Sequence, residues 1–459
     1  MEKGIHDIAI IGGGPAGYAA AVRAAQLGRK VLLVEAGGLG GTCLHRGCIP
    51  TKALLASARL LHAARNGAAF GVSASAVSFD YARMRARAEE SVARLANGVA
   101  LLLRANKVEV VRGTASFLDA ARIRILPEDG GVREVSPAAI LVATGSRPAL
   151  PAVFADSEFA VLPDDFLTLP ELPQSVLIAG GGVIGCEFAN LLSLLGVAVT
   201  LCEARARLLP AFDPEAASAV ARRLREQGVR IFAGTSISAV QDRDAGVSAQ
   251  IGAETVEADQ LLVAVGRTPG TEGLDLAAAG VATSPDGAIL ADACGRTNLP
   301  NVFAAGDCVA GSPLLAHAAT AQGLAAAETA CGLEAQLDSP IPATVFTDPE
   351  IGVVGLSEEE AAAKGLSIQT GSASLRTNGR AVAEGGTDGF AKWVADARDG
   401  RLLGATIVGP HASELISAAV LAIRARLTAR DFARTMLPHP TYAETLADAA
   451  RLCLQKNKP

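Results

Sequence analysis

Residues 7–36, DIAIIGGGPAGYAAAVRAAQLGRKVLLVEA, decide the fold. An apolar run of strand length stops at Gly12-Gly13-Gly14, a helix-length stretch follows, and a second apolar run ends at Glu35. A strand, a GxGxxG turn opening a helix, and an acid about 20 residues on is the arrangement that binds a dinucleotide. The glycines let backbone approach a pyrophosphate, the helix N-terminus offers unpaired N–H groups, and the acid accepts from a ribose hydroxyl. Residues 175–204, SVLIAGGGVIGCEFANLLSLLGVAVTLCEA, repeat the pattern: Gly180, Gly182, Gly185 and Glu203 stand 168 residues after Gly12, Gly14, Gly17 and Glu35. Two ligand-free glycine turns with identical spacing are a poor alternative to two dinucleotide sites.

A second echo links the ends of these units. ILVATGSRP at 140–148 resembles LLVAVGRTP at 261–269, each a buried strand leaving through Gly and Pro. This predicts one dinucleotide-binding domain over 1–148, completed by 271–340, and another over 149–270. TNLPNVFAAGDCV at 297–309 reads as a strand and turn returning to the first domain. Residues 341–459 change style, with strands and a helix of α+β type and no glycine fingerprint. The fold class is therefore α/β, with two Rossmann-like dinucleotide-binding domains followed by a C-terminal α+β domain.

Composition sets further bounds. Half of the 459 residues are apolar, 19% are charged and the net charge is −6, with no basic stripe, which argues against a nucleic-acid partner. No run reaches the ~18 apolar residues of a membrane span. The chain enters a strand almost at once, so a signal peptide is not expected and the cytosol is the expected compartment. There, a close cysteine pair is more often catalytic than structural.

Such a pair lies in GLGGTCLHRGCIPTK at 38–52. Cys43 and Cys48 follow Glu35 closely, so the first dinucleotide should lie beside them. A ligand that exchanges electrons with a disulfide is a flavin, which leaves a nicotinamide nucleotide for the second site. Zinc would need a second close pair, and the other six cysteines provide none; no metal site is expected. A helix from Cys48 would put Pro50 in its first turn, Cys48 at its positive end and Lys52 on the same face. A dithiol enzyme also needs a base. His6 and His62 read as surface or packing residues, His45 reads either way, and His411 lies in a turn. His439, in LPHPTYAETL, is followed by Pro440 and has Glu444 five residues on to fix its tautomer. It reads equally as a turn histidine.

With these residues in place, the chain resembles the flavin-dependent pyridine nucleotide–disulfide oxidoreductases (class I) over essentially its whole length, and most closely those members that oxidise dihydrolipoyl groups with NAD⁺. GGTCLHRGCIPTK, both fingerprints, ATGSRP, VGRTP, FAAGD, LLAHAA, TDPEIGVVG, NGRA, GATIVGPHASELI and HPTYAE carry the resemblance. It implies that Cys43 exchanges with substrate and Cys48 faces the flavin, with Lys52 and Glu187 paired at the flavin. Read alone, Glu187 is equally a first-turn helix acid. The resemblance implies FAD contacts from Gly12, Gly14, Gly17, Glu35, Thr42, Lys52, Ala115, Thr144, Asp307 and Ala316. It implies NAD contacts from Gly180, Gly182, Gly185, Glu203 and Gly266. His439 and Glu444 match the base and its orienting acid, donated across a two-fold homodimer whose interface is the last domain. A carboxylate at Glu203 favours NAD over NADP, a preference that Arg205 and Arg207 nearby would soften. The implied partner is a lipoyl-bearing protein of a 2-oxoacid dehydrogenase complex or of the glycine cleavage system.

Three positions depart from the pattern. His45 replaces an Asn, Leu437 stands where many such members carry a second His, and LAHAATAQG lacks a usual Lys and acids. The alternatives are a sister reductase of glutathione or mercuric type, or a structural subunit with a vestigial flavin. Glutathione reductases favour arginines over an acid at Glu203. Mercuric reductases carry a C-terminal cysteine pair, where this chain has only Cys453.

Overall fold

Ile8–Ile11 buries all four of its side chains, as a strand covered on both faces must. It lies within a seven-stranded sheet, with Val31–Glu35 parallel on one side and Ala139–Val142 parallel on the other. Because the chain leaves this strand toward one neighbour and reaches the other later, the Gly12 turn sits at a topological switch point, where ligands of such sheets bind. Val302–Ala304 adds a further parallel strand beside Ala139–Val142. Glu109–Asp119 pairs parallel with Val31–Glu35 and then antiparallel with Arg122–Pro127. The computed structural model describes residues 6–335, 337 and 339–455.

The chain forms two units. The first comprises Met1–Leu150, Leu162–Leu172 and Gly266–Leu337; the second comprises Pro151–Val161, Pro173–Val265 and Asp338–Pro459. In the first, the two echoed segments meet. Ser146–Pro148 and Arg267–Pro269 pair antiparallel, Thr268 opposite Arg147. The guanidinium of Arg267 donates to Ser146 Oγ at 2.7 Å and to its carbonyl at 2.8 Å.

The second unit holds the repeat of the first sheet. Ser175–Ala179 lies between Ala198–Glu203 and Gln260–Val263, all parallel. A three-stranded antiparallel meander, Ile237–Arg243, Gly246–Ile251 and Glu254–Ala258, precedes Gln260–Val263. The remaining sheet has five antiparallel strands in the order Ala343–Val345, Glu350–Gly355, Leu402–Gly409, Phe390–Asp396 and Ile368–Ser374. Helices Ala412–Arg424 and Glu444–Gln455 pack on it around the fully buried Trp393, whose indole N–H donates to the Leu446 carbonyl at 2.9 Å. Lys392, on the neighbouring position, reaches Asp213 at 2.6 Å and Glu358 at 3.1 Å. Burial works against its charge, but these carboxylates outweigh it and its pKa is raised. No described helix is long and apolar enough to cross a membrane.

Candidate active site

The two glycine turns obey the same sterics. A Cβ at Gly12, where φ is +103°, would stand 2.3 Å from the Ala143 carbonyl oxygen, and one at Gly17 would stand 1.7 Å from that of Gly12. The second turn repeats this: Gly180 has φ +105° and 2.4 Å to the Ala264 oxygen, and Gly185 has 1.9 Å to the Gly180 oxygen. The middle glycines differ. A Cβ on Gly14 would meet only Gly41, at 3.8 Å, and one on Gly182 would meet nothing within 4 Å. The protein's own packing demands the outer glycines of each turn and leaves the middle one facing room.

The acids are fixed by those turns. Glu35 accepts from the Gly13 N–H and, at 2.6 Å, from the Gly37 N–H. Glu203, buried, accepts from the N–H groups of Gly181 at 2.7 Å and Arg205 at 2.8 Å. Arg207 Nη2 lies 3.4 Å from both the Pro210 carbonyl and Glu359. The Arg205 side chain is exposed.

The thiols dock on the first turn. Gly40 N–H donates to the Gly13 carbonyl at 2.8 Å, and a Cβ on Gly41 would come within 2.6 Å of the Gly14 Cα. Cys43 lies in the short helix Gly41–His45 that starts there, and Cys48 is the first residue of the helix Cys48–Arg65. Pro50 sits in that helix's first turn and Lys52 one turn on. The Cys43 thiol is pushed up, first by its hydrogen bond to Cys48, then by burial and by negative charge on Cys48; Lys52 pulls it down. Cys48, the first residue of its helix, stands at that helix's positive end, where a thiolate is favoured. By contrast, burial pushes up the thiols of Cys186, of Cys308 and of Cys202, the last to about 11, so these stay protonated. The His45 ring lies 2.9 Å from the Leu39 carbonyl through Nε2. A Cβ on Gly38 would strike that ring at 2.3 Å, so His45 holds the loop ahead of the thiols.

In the second unit, His439 Nδ1 lies 3.0 Å and 3.2 Å from the two carboxylate oxygens of Glu444. Glu444 also accepts the Thr441 N–H at 2.9 Å. That bond, and then the imidazole, hold its carboxyl below the usual range. The His439–Pro440 bond is cis. Leu437 packs against the core of the C-terminal sheet, in place of a second imidazole. Glu187, 5% exposed, lies in the helix Val183–Leu195 and accepts from the Phe346 N–H at 3.0 Å. The structure thus brings Cys43, Cys48 and Lys52 together in the first unit and His439 and Glu444 together in the second, which also holds Glu187.

Residues 6–323 match the family model for pyridine nucleotide-disulphide oxidoreductases, and residues 341–450 match the dimerisation domain of the same family. The chain belongs to this oxidoreductase family. It is 41% identical to a dihydrolipoyl dehydrogenase of Thermus scotoductus over 97% of this chain and 96% of that one. To one of Bacillus subtilis it is 40% identical, over 96% and 97%. The crystal structure of LpdA from Mycobacterium tuberculosis superposes with a TM-score of 0.91 at 31% identity, covering 97% of this chain and 98% of that one.

As a member of this family the chain is a flavoprotein oxidoreductase that uses FAD and NAD. The residues present fit both groups. The open middle glycines leave a cradle at each turn that a side chain would fill. Beside the first, the buried Thr144 hydroxyl meets no oxygen or nitrogen partner among the described residues, and the Cys308 thiol lies next to it. Asp307 is held by the Ser146 hydroxyl at 2.7 Å, the group that also receives Arg267. Ala115 lies buried on Glu109–Asp119, Thr42 in the helix that carries Cys43, and Ala316 begins Ala316–Ala330. Gly266, with φ +137°, would carry a Cβ into open space. The link from Arg267 through Ser146 to Asp307 escaped the sequence reading. Its only trace there was the echo between GSRP and GRTP.

Proposed function

We propose that the chain oxidises dihydrolipoyl groups on a partner protein and reduces NAD⁺. The observation that carries this reading is the cysteine pair docked on a dinucleotide turn, with Cys48 at a helix N-terminus and the charge of Lys52 one turn on. A dihydrolipoyl thiolate attacks the Cys43 sulfur of the oxidised pair; the Cys43–Cys48 bond breaks and Cys48 leaves as thiolate, where the helix end favours its charge. His439, oriented by Glu444, takes the proton from the second substrate thiol. That sulfur closes the lipoyl disulfide and expels Cys43, leaving two electrons on the enzyme's thiols. FAD held at the first glycine turn beside Cys48 would supply the two-electron acceptor for these thiols and the hydride donor for NAD⁺ held at the second turn.

The first turn, Glu35, Thr42, Lys52, Ala115, Thr144, Asp307 and Ala316 are assigned to FAD. The second turn, Glu203 and Gly266 are assigned to NAD, and Glu187 to the flavin side. The corresponding domains are 1–148 with 271–340, 149–270, and 341–459 as the interface of a homodimer that supplies His439 across the two-fold. The lipoyl arm belongs to a 2-oxoacid dehydrogenase complex or to the glycine cleavage carrier. Glu203, locked by two backbone N–H groups, suits a ribose hydroxyl and repels a 2′-phosphate. Arg207 is engaged by Glu359 and by carbonyls, whereas the nearby Arg205 is exposed.

The test follows NADH absorbance with dihydrolipoamide and NAD⁺, and NADP⁺ in parallel. Rapid reduction of NAD⁺ and little of NADP⁺ is expected. A yellow protein that reduces neither would move the substrate to another disulfide.

A further inference from the structure

The His439 side chain is 77% exposed within its own chain, so packing inside that chain does not set the direction of its ring. Its orientation comes from Glu444, and any displacement of Glu444 passes straight to the imidazole. The question is what holds Glu444, which begins the helix Glu444–Gln455 directly after a loop.

Asn378 lies 63 and 67 positions before the two groups that flank this acid. It is 7% exposed and precedes the helix Gly379–Glu384. Its Oδ1 accepts from the Ala381 N–H at 3.0 Å, which caps that helix and fixes which way the amide faces. Its Nδ2 is thereby turned to the loop and donates to the Thr441 carbonyl at 2.9 Å and to Thr445 Oγ1 at 3.0 Å. Thr445, 2% exposed, follows Glu444, and Thr441 gives its own N–H to the Glu444 carboxylate. One buried side-chain amide thus bridges both sides of the orienting acid, with both donors and its acceptor used.

We propose that Asn378 is a positioning residue of the reaction: through Thr441 and Thr445 it fixes Glu444, and through Glu444 the ring of His439. This rests on the reading of His439 as the base. Misplacing a base by a fraction of an ångström costs turnover rather than affinity for a remote cofactor.

Asn378→Ser tests it, because serine still caps a helix, adds no charge and is too short to bridge the loop. Purified dimers with full flavin absorbance are compared as wild type, Asn378→Ser, Glu444→Gln and the double variant. Asn378→Ser is expected to lower kcat with dihydrolipoamide about tenfold and leave KM for NAD⁺ unchanged. The double variant is expected to be no slower than Glu444→Gln alone, since both changes act on one orientation. A wild-type kcat for Asn378→Ser, or losses that multiply in the double variant, overturns the inference. Wild-type turnover in both His439→Gln and Glu444→Gln overturns the underlying reading and this inference with it. If Asn378→Ser does not retain flavin, Thr445→Val replaces it in the same cycle: lost turnover, restored by Thr445→Ser, supports the clamp, and unchanged turnover removes it.

Discussion

At the scale of single residues, the thiols and the imidazole differ in what limits them. Cys43 keeps its proton because Cys48, burial and the Cys48 charge all oppose a second negative charge beside the first. In the oxidised pair neither sulfur has a proton, and a thiolate of the substrate is the species that opens it. Cys43→Ser is expected to abolish dihydrolipoamide oxidation, by more than about 10³-fold, while the protein stays yellow. His439→Gln is expected to lose about 10²–10⁴-fold in kcat, the usual worth of a general base, measured with dihydrolipoamide at saturating NAD⁺. Glu444 adds a pH signature. Its folded pKa lies below the unfolded value of about 4.3, so its stabilising effect is complete above that value and fades as pH falls through the folded pKa. The difference in thermal midpoint between wild type and Glu444→Gln should persist at pH 5 and shrink toward pH 3.

At the scale of elements, the glycine turns separate packing from binding. The outer glycines are fixed by contacts of 1.7–2.4 Å between a virtual Cβ and the chain's own carbonyls. Gly185→Ala is expected to destabilise the protein by about 3 kcal/mol, read from the urea midpoint. Gly182 meets nothing, so Gly182→Ala should fold with a wild-type midpoint and raise KM for NAD⁺ about tenfold, which is about 1.4 kcal/mol. Equal stability losses in the two variants would sink the division. The strand–turn–helix units were legible in the sequence because strand, turn and helix follow one another directly and the demands of Gly17 on Gly12 and of Gly185 on Gly180 span only five positions, whereas the contacts of Gly12 with Ala143 and of Gly180 with Ala264 come from the fold. The helix carrying Cys48 was legible for the same reason. His45 was not: its partner, the Leu39 carbonyl, is a backbone group that no residue type announces.

At the scale of the whole molecule, the thiols stand in one unit and the imidazole in the other, and the proposal draws each site from two chains. Complementation tests this. Cys43→Ser and His439→Gln chains, each inactive alone, are unfolded, mixed and refolded. Random pairing yields half heterodimers, each with one intact site if the base crosses the two-fold, so about a quarter of wild-type activity should return. Activity that stays at the level of the parents counts against a shared site. The cluster around Lys392 makes a separate demand. Lys392→Met leaves the buried Asp213 without its cation and is expected to cost about 3 kcal/mol, read from the urea midpoint.

The sequence by itself determined the two dinucleotide units, their repeated acids, the helix start under Cys48 and the spacing that offers Glu444 to His439. All of these depend on short-range spacing: a positive φ, a carbonyl a few residues away, a side chain five positions on. Only the tertiary structure decided that Val302–Ala304 pairs with Ala139–Val142, that Ser146 joins Arg267 to Asp307, that Leu437 packs against the core of the C-terminal sheet and that Asn378 reaches Thr441 and Thr445. These links join segments dozens to more than a hundred residues apart. Their hydrogen bonds have no periodicity in the chain, because the path of the backbone sets which groups meet.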